Sequence, residues 1–237
     1  MCPTRFKTKA LNTLNYNYIL NIKLCNKMSL KLIVKKLEIR KEKFITREEL
    51  KSYCKMLKLD YYTVVGYLMT NNYVVRILRG IFYVKSIEER KLKKIDMDHL
   101  AVIGEALEIK GIKNWYFGLN TAVKLNNLTH EYFVVDYVIN DKIARSELIE
   151  IIGYEIKFIK VNKKIFGFGI IKNRLQYSDV EKTVLDIAYL GKYNNLTNNE
   201  IKNKLIDIMG YCSKEKIRKY SKHYPKTVKK FIKELTW

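Results

Sequence analysis

Proline is almost missing from this chain: two residues in 237, Pro3 and Pro225. The ten glycines are scattered rather than clustered, so no long flexible linker is encoded and any junction between domains is compact. Cysteine is sparse too. Cys2, Cys25, Cys54 and Cys212 form no C-x-x-C pair and have no histidine at ligand spacing, which leaves a zinc site unsupported. No run approaches the 18 apolar residues of a membrane span. Ile19, Leu20, Ile22 and Leu24 are too few and too interrupted for a secretory core. Scattered, reduced cysteines without a secretory segment lead us to expect a cytoplasmic protein with no membrane partner. Phosphate-binding loops of the G-x-x-x-x-G-K-[ST] and G-x-G-x-x-G kinds are absent, and His99, His130 and His223 stand alone.

What the chain does have is positive charge, unevenly placed. The formal net charge is +22. Residues 1–95 hold 22 basic and 7 acidic side chains, residues 96–213 hold 15 of each, and residues 214–237 hold 9 and 2. A general lysine bias would spread evenly. Concentration at one end is the footprint of phosphate binding. The hydrophobic share, 48%, supports a packed core.

The basic end also carries the most readable local pattern. Thr46-Arg47-Glu48-Glu49 has the form of a capping box and opens a helix predicted over Arg47 to Lys58. Leu50, Tyr53, Cys54 and Leu57 make its apolar face. Leu59-Asp60 is a short link, and Asp60 caps a second predicted helix, Tyr61 to Asn71. The period then changes. Tyr73 to Leu78 and Ile81 to Val84 read as strands about an Arg79-Gly80 turn. Ser29 serves as N-cap for a preceding helix, Leu30 to Arg40. The expected fold is therefore α+β: a winged helix-turn-helix over residues 29–87, then a mixed sheet-and-helix domain over 98–237 with a helical C-terminus.

Residues 1–28 are read as a basic extension. Two origins are open. Synthesis could start naturally at Met28, or the segment could be a basic arm that reaches along DNA. Residues 87–97 are read as a charged connector, helical or extended. Beyond it, the pattern predicts helices over Met97 to Lys110 and Leu119 to Leu125. Strands are predicted over Glu131–Ile139, Glu155–Val161 and Phe166–Ile171. Ser178-Asp179-Val180-Glu181 reads as a second capping box, with its helix stopping at Gly191. Asn198–Met209, Ser213–His223 and Pro225–Leu235 read as three more helices.

The candidate DNA-contacting residues are Lys51, Lys55 and Lys58 on the first helix of the pair, then Tyr61, Tyr62, Thr63 and Tyr67 on the second. Arg76, Arg79 and Gly80 on the hairpin complete the set. The second helix has no arginine or lysine, so bidentate reading of guanine is unavailable there. Its tyrosines and threonines suit thymine methyls and phosphates, and the hairpin arginines suit a narrow A/T minor groove. Asp136 with Glu155 and Lys157 superficially matches a magnesium-dependent nuclease core. Glu-x-Lys recurs at Glu49, Glu89, Glu108 and Glu200, however, so the pattern is cheap. No residue receives a catalytic assignment, no cofactor or metal is implied, and the chain is read as a non-enzyme.

Several segments in this order resemble a known family. Arg79-Gly80-Ile81-Phe82-Tyr83-Val84 resembles the "rGvYv" hairpin of AbiEi-type antitoxins, transcriptional regulators of viral-defence systems. Tyr116-Phe117-Gly118-Leu119-Asn120-Thr121-Ala122-Val123 is similar to that family's aromatic-x-x-x-[ST]-Ala helix entry. Glu181-Lys182-Thr183-Val184-Leu185-Asp186 looks like its "ekTllD" segment. The resemblance spans roughly residues 29–190 and implies the antitoxin of a type IV toxin–antitoxin system. Such a protein represses its own promoter through double-stranded DNA and counters a nucleotidyltransferase-like toxin. The tail after Leu196 matches no family motif. The alternative is a stand-alone winged-helix regulator whose second domain serves dimerisation or sensing. Thr183 and Asp186, at i and i+3, share a helix face and are read as polar residues on the helix surface.

Overall fold

The computed structural model describes residues 28–235, so all of the expected N-terminal extension but Met28 lies outside the described residues. The fold is α+β, in two compact units that divide between Asp96 and Met97.

In the first unit, α1 (28–38) is followed by β1 (Phe44–Thr46), α2 (Arg47–Met56), α3 (Tyr61–Thr70), β2 (Val74–Leu78), β3 (Ile81–Val84) and α4 (Ile87–Leu92). Ser29 lies inside α1 rather than ahead of it, so it is not the cap expected. The three strands form an antiparallel sheet in the order β1-β3-β2. Its core joins Ile33, Val34 and Leu37 of α1 to Leu50 and Cys54 of α2, Val64, Val65 and Leu68 of α3, and Val74, Phe82 and Val84 of the sheet.

Local chemistry sets the boundaries. The Thr46 hydroxyl accepts from the Glu49 amide, and the Glu49 carboxylate accepts from the Thr46 amide at 2.8 Å, closing the capping box. The Asp60 carboxylate accepts from the Thr63 amide at 2.8 Å. At the other end α2 stops two residues earlier than the apolar spacing suggests. Lys58 takes a left-handed conformation (φ +53°), its amide donates to the Lys55 carbonyl, and the Leu59 amide donates to the Cys54 carbonyl. That is a Schellman closure, which spacing alone does not announce. Asn72 (φ +58°) closes α3 in the same way.

A further capping box, Ser86 with Glu89, turns the charged connector into α4. Glu89 is buried, and its carboxylate accepts from Tyr83 Oη (2.7 Å), the Ser86 amide (2.8 Å) and the Asp96 amide (3.0 Å). Burial pushes this carboxyl up, but those hydrogen bonds together with Lys43 outweigh it and hold it below its usual 4.5. A depressed folded-state pKa adds stability above the unfolded value, and that stability is lost as pH falls through the folded value. The first unit should therefore loosen as pH drops below about 4.5, and Glu89→Gln should flatten that acid dependence. Hydrogen exchange in peptides from residues 28–96 measures both.

In the second unit, α5 (His99–Ile109), β4 (Trp115–Phe117), α6 (Leu119–Leu125), β5 (Val135–Asn140), β6 (Ile149–Ile151) and β7 (Tyr154–Lys160) come first. Then follow β8 (Ile170–Lys172), β9 (Gln176–Ser178), α7 (Val180–Tyr193), α8 (Asn198–Met209), α9 (Lys214–Ser221) and α10 (Lys226–Glu234). The mixed sheet runs β6-β7-β5-β4-β9-β8, with β5 and β7 parallel and β4 and β9 parallel. Alternation along β4 serves both faces. The Trp115 ring packs on Gly104 of α5, and Tyr116 points the other way, to α7. The core on that side joins Tyr116 and Ile139 to Val184, Leu185 and Ala188 of α7. Ile201, Leu205, Ile217, Val228 and Phe231 of the C-terminal helices complete it.

Several sequence expectations change here. The strand expected from Glu131 starts at Val135. Residues 163–165 make a 3-10 turn and the strand expected from Phe166 starts at Ile170. Ser178 is a buried strand residue and Asp179 is the actual cap, accepting from the Lys182 amide at 2.8 Å. Gly191 does not end α7, which runs on to Tyr193. A β-carbon at Gly191 would lie 2.8 Å from Ile201, so this glycine lets α8 approach α7 closely.

Candidate functional site

In the first unit, cations converge on the N-terminus of α3. The Arg47 guanidinium lies 5.6 Å and the Lys51 ammonium 5.9 Å from the centre of the half-buried Tyr61 ring. Burial pushes the Tyr61 hydroxyl up, while the positive charges of Arg47 and Arg76 pull it down. Arg76 is exposed on β2 and lies over the Phe82 ring at 5.7 Å. The hairpin turn joins this cluster. Gly80 has φ +85°, which its lack of a β-carbon permits, and its carbonyl accepts from the Arg47 amide at 2.8 Å. The hairpin tip is thereby held beside the start of α2, and Arg79 is exposed next to it.

The expected contact residues divide as follows. Lys51, Tyr61, Tyr62 (73% exposed) and Arg76 gather near the start of α3, while Arg79 and Gly80 form the hairpin turn beside the start of α2. Thr63 is exposed, but its hydroxyl is held by Asp60 at 3.0 Å. Lys55 is exposed one helical turn from Lys51, and Lys58 sits in the left-handed closure rather than on the helix. Tyr67 is half-buried and stacked on Tyr73, with ring centres 6.1 Å apart, so it packs the end of the hairpin instead of the outer face. Arg47 was missed by sequence reasoning. Its signal was its place immediately after the Thr46 cap, where it read as part of a capping box and nothing more.

The second unit holds a buried polar network. Lys182 is fully buried among the rings of Tyr116, Phe168 and Tyr224, at 4.7, 4.4 and 5.6 Å. Its ammonium donates to the Ile165 carbonyl (2.6 Å) and the Tyr224 hydroxyl (3.3 Å), and stands 3.8 Å from Asp186. Asp186 accepts from Tyr116 (2.9 Å) and Tyr224 (2.6 Å). Burial pushes the Asp186 carboxyl up and the Lys182 ammonium down, against their mutual attraction. Thr183 is buried as well, and its hydroxyl pairs with Ser178 at 2.7 Å. The reading of Thr183 and Asp186 as residues of the helix surface is therefore wrong: both are buried, Asp186 against Tyr116 and Tyr224 from distant parts of the chain, and Thr183 against Ser178 and the Asp179 carbonyl close by. Gly169 (φ +59°) fits under this network, since a β-carbon there would lie within 2.9 Å of Lys182, Asp179 and Tyr220.

Asp136, Glu155 and Lys157 do not form a nuclease core. In the parallel β5–β7 register Asp136 pairs with Ile156, which places Asp136 on the opposite face from Glu155 and Lys157. Asp136 is instead bound to His99 (2.8 Å) and Thr121 (3.0 Å). Among the described residues, no group of three or more His, Cys, Asp or Glu side chains is placed to hold a metal ion. Cys54 is buried, and burial pushes the Cys212 thiol up to about 12. A groove of about 980 Å³ opens on the α7 side of the sheet, floored by Tyr137 and Lys157 and walled by Phe133, Arg145, Tyr193 and Lys204. Among the described residues no helix is long and apolar enough to cross a membrane.

No family model matches the sequence, and neither does any curated protein. Among solved structures the chain is similar to the crystal structure of the RV2827C protein from Mycobacterium tuberculosis. The TM-score is 0.54 at 10% identity, over 86% of this chain and 75% of that one. A likeness at that identity speaks to the fold alone.

Proposed function

We propose that the first unit is a winged helix-turn-helix that binds double-stranded DNA, and that the chain is a transcription regulator. One observation carries this reading. Arg47, Lys51 and Arg76 surround Tyr61 beside a helix, α3, that has no charged side chain of its own. Flanking cations can hold phosphates while a neutral helix face meets base edges. The element order supports it: the helices α1, α2 and α3 and a three-stranded antiparallel sheet, with α2 and α3 joined by a four-residue turn, 57–60.

Within that reading, the resemblance of Arg79 to Val84 and of Glu181 to Asp186 to AbiEi-type segments supports a type IV antitoxin. It would repress its own promoter and counter a nucleotidyltransferase-like toxin from the cytoplasm, without catalysing a reaction itself. The groove in the second unit favours a second reading, a stand-alone regulator that senses a ligand there. Co-expression with the neighbouring gene separates the two. Growth rescue together with repression of a reporter on the chain's own upstream DNA fits the antitoxin, and repression without rescue fits the stand-alone regulator. Loss of both would leave the proposal without support.

A further inference from the structure

Helix α3 has a glycine near its centre that the chain itself does not use. Gly66 is the sixth of ten residues, and a β-carbon built there meets no atom within 4 Å. Its φ is not in the left-handed region, so neither packing nor backbone conformation requires glycine. Yet glycine inside a helix is roughly fivefold less favourable than alanine. The smallness serves something outside the fold.

The surroundings say what that is. Tyr62, Gly66 and Thr70 follow one another at i, i+4 and i+8, and all three are exposed, as is Thr63. Asp60 engages the Thr63 hydroxyl, so this residue has chiefly its methyl to offer. The face is thus an aromatic ring and threonine methyls with open space over the bare Gly66, and cations kept to its rim. In the major groove of a duplex, the one apolar group on a base edge is the C5 methyl of thymine. Resting on the DNA-binding reading above, we propose that the open space over Gly66 receives a thymine methyl, which makes α3 a reader of A/T-rich duplex DNA.

Fluorescence anisotropy of the full chain tests this on three duplexes two helical turns long: alternating A/T, the same with deoxyuridine for thymidine, and alternating G/C. The wild type should bind A/T tightest and lose about fourfold on deoxyuridine, the value of one buried methyl-sized group. Gly66→Ala should melt higher, by about 4 °C, because it gains helix propensity. It should nonetheless bind the A/T duplex roughly tenfold more weakly and no longer tell thymidine from deoxyuridine. The proposal is overturned if Gly66→Ala binds A/T as well as the wild type, or if it melts lower. It is also overturned, with duplex binding intact, if the wild type treats thymidine and deoxyuridine alike. If the wild type binds none of the duplexes, the DNA-binding reading fails and this inference with it.

Discussion

Asp186→Ala should destabilise the second unit by about 3–5 kcal/mol, the cost of breaking a buried ion pair from one side. The carboxylate accepts from two buried phenols and faces a fully buried ammonium. Removing it leaves Tyr116 and Tyr224 without their acceptor and strands Lys182 among aromatic rings, still tied to the Ile165 carbonyl. Because a domain has only about 5–15 kcal/mol in total, such a loss approaches unfolding. The network joins β4, α7, the 3-10 turn and the segment before α10, so its failure should loosen the C-terminal helices first. Urea denaturation followed by fluorescence of the buried Trp115 measures the effect. Adding Lys182→Met to Asp186→Ala should return part of the loss by removing the stranded cation. A midpoint shift worth less than about 1 kcal/mol would mean the pair contributes little.

The second large effect belongs to the basic rim. Replacing Lys51, Arg76 and Arg79 together with alanine should weaken duplex binding by roughly a hundredfold at fixed salt, with little change in melting temperature. Lys51, Arg76 and Arg79 are all exposed, and the buried core of the unit is built from other residues. If each holds one phosphate, the slope of log affinity against log salt should also fall by about 3. Anisotropy titrations of both proteins at several salt concentrations give the two numbers at once. Equal affinity in the two would move the DNA-binding face away from the start of α3.

Signals that are local in the chain are legible in the sequence. The Thr46 and Asp60 caps place the starts of α2 and α3, Arg79-Gly80 places the hairpin turn, and α8 runs from Asn198 to Met209 as its pattern predicts. Each depends on residues within about four positions of one another. The strands β6 and β9 were illegible because three residues carry no period, and β9 pairs with β4 some 60 residues away. Asp186 misled for a related reason. A polar residue on a helix reads as exposed unless its partners are known, and Tyr116 lies 70 residues before Asp186. Gly191 misled differently: glycine near a helix end reads as a stop, yet here it admits Ile201. The rim showed the same division, with Lys51 and Arg76 readable from charge and position while Arg47 needed its neighbours in space.

The affinity of the full wild-type chain for a duplex, followed from about 50 to 200 mM salt, tests the central claim most directly. With about six phosphate contacts, the account predicts a linear log–log decline amounting to roughly a thousandfold loss. Binding that ignores salt, or no binding to duplex DNA at the low end of that range, would contradict it.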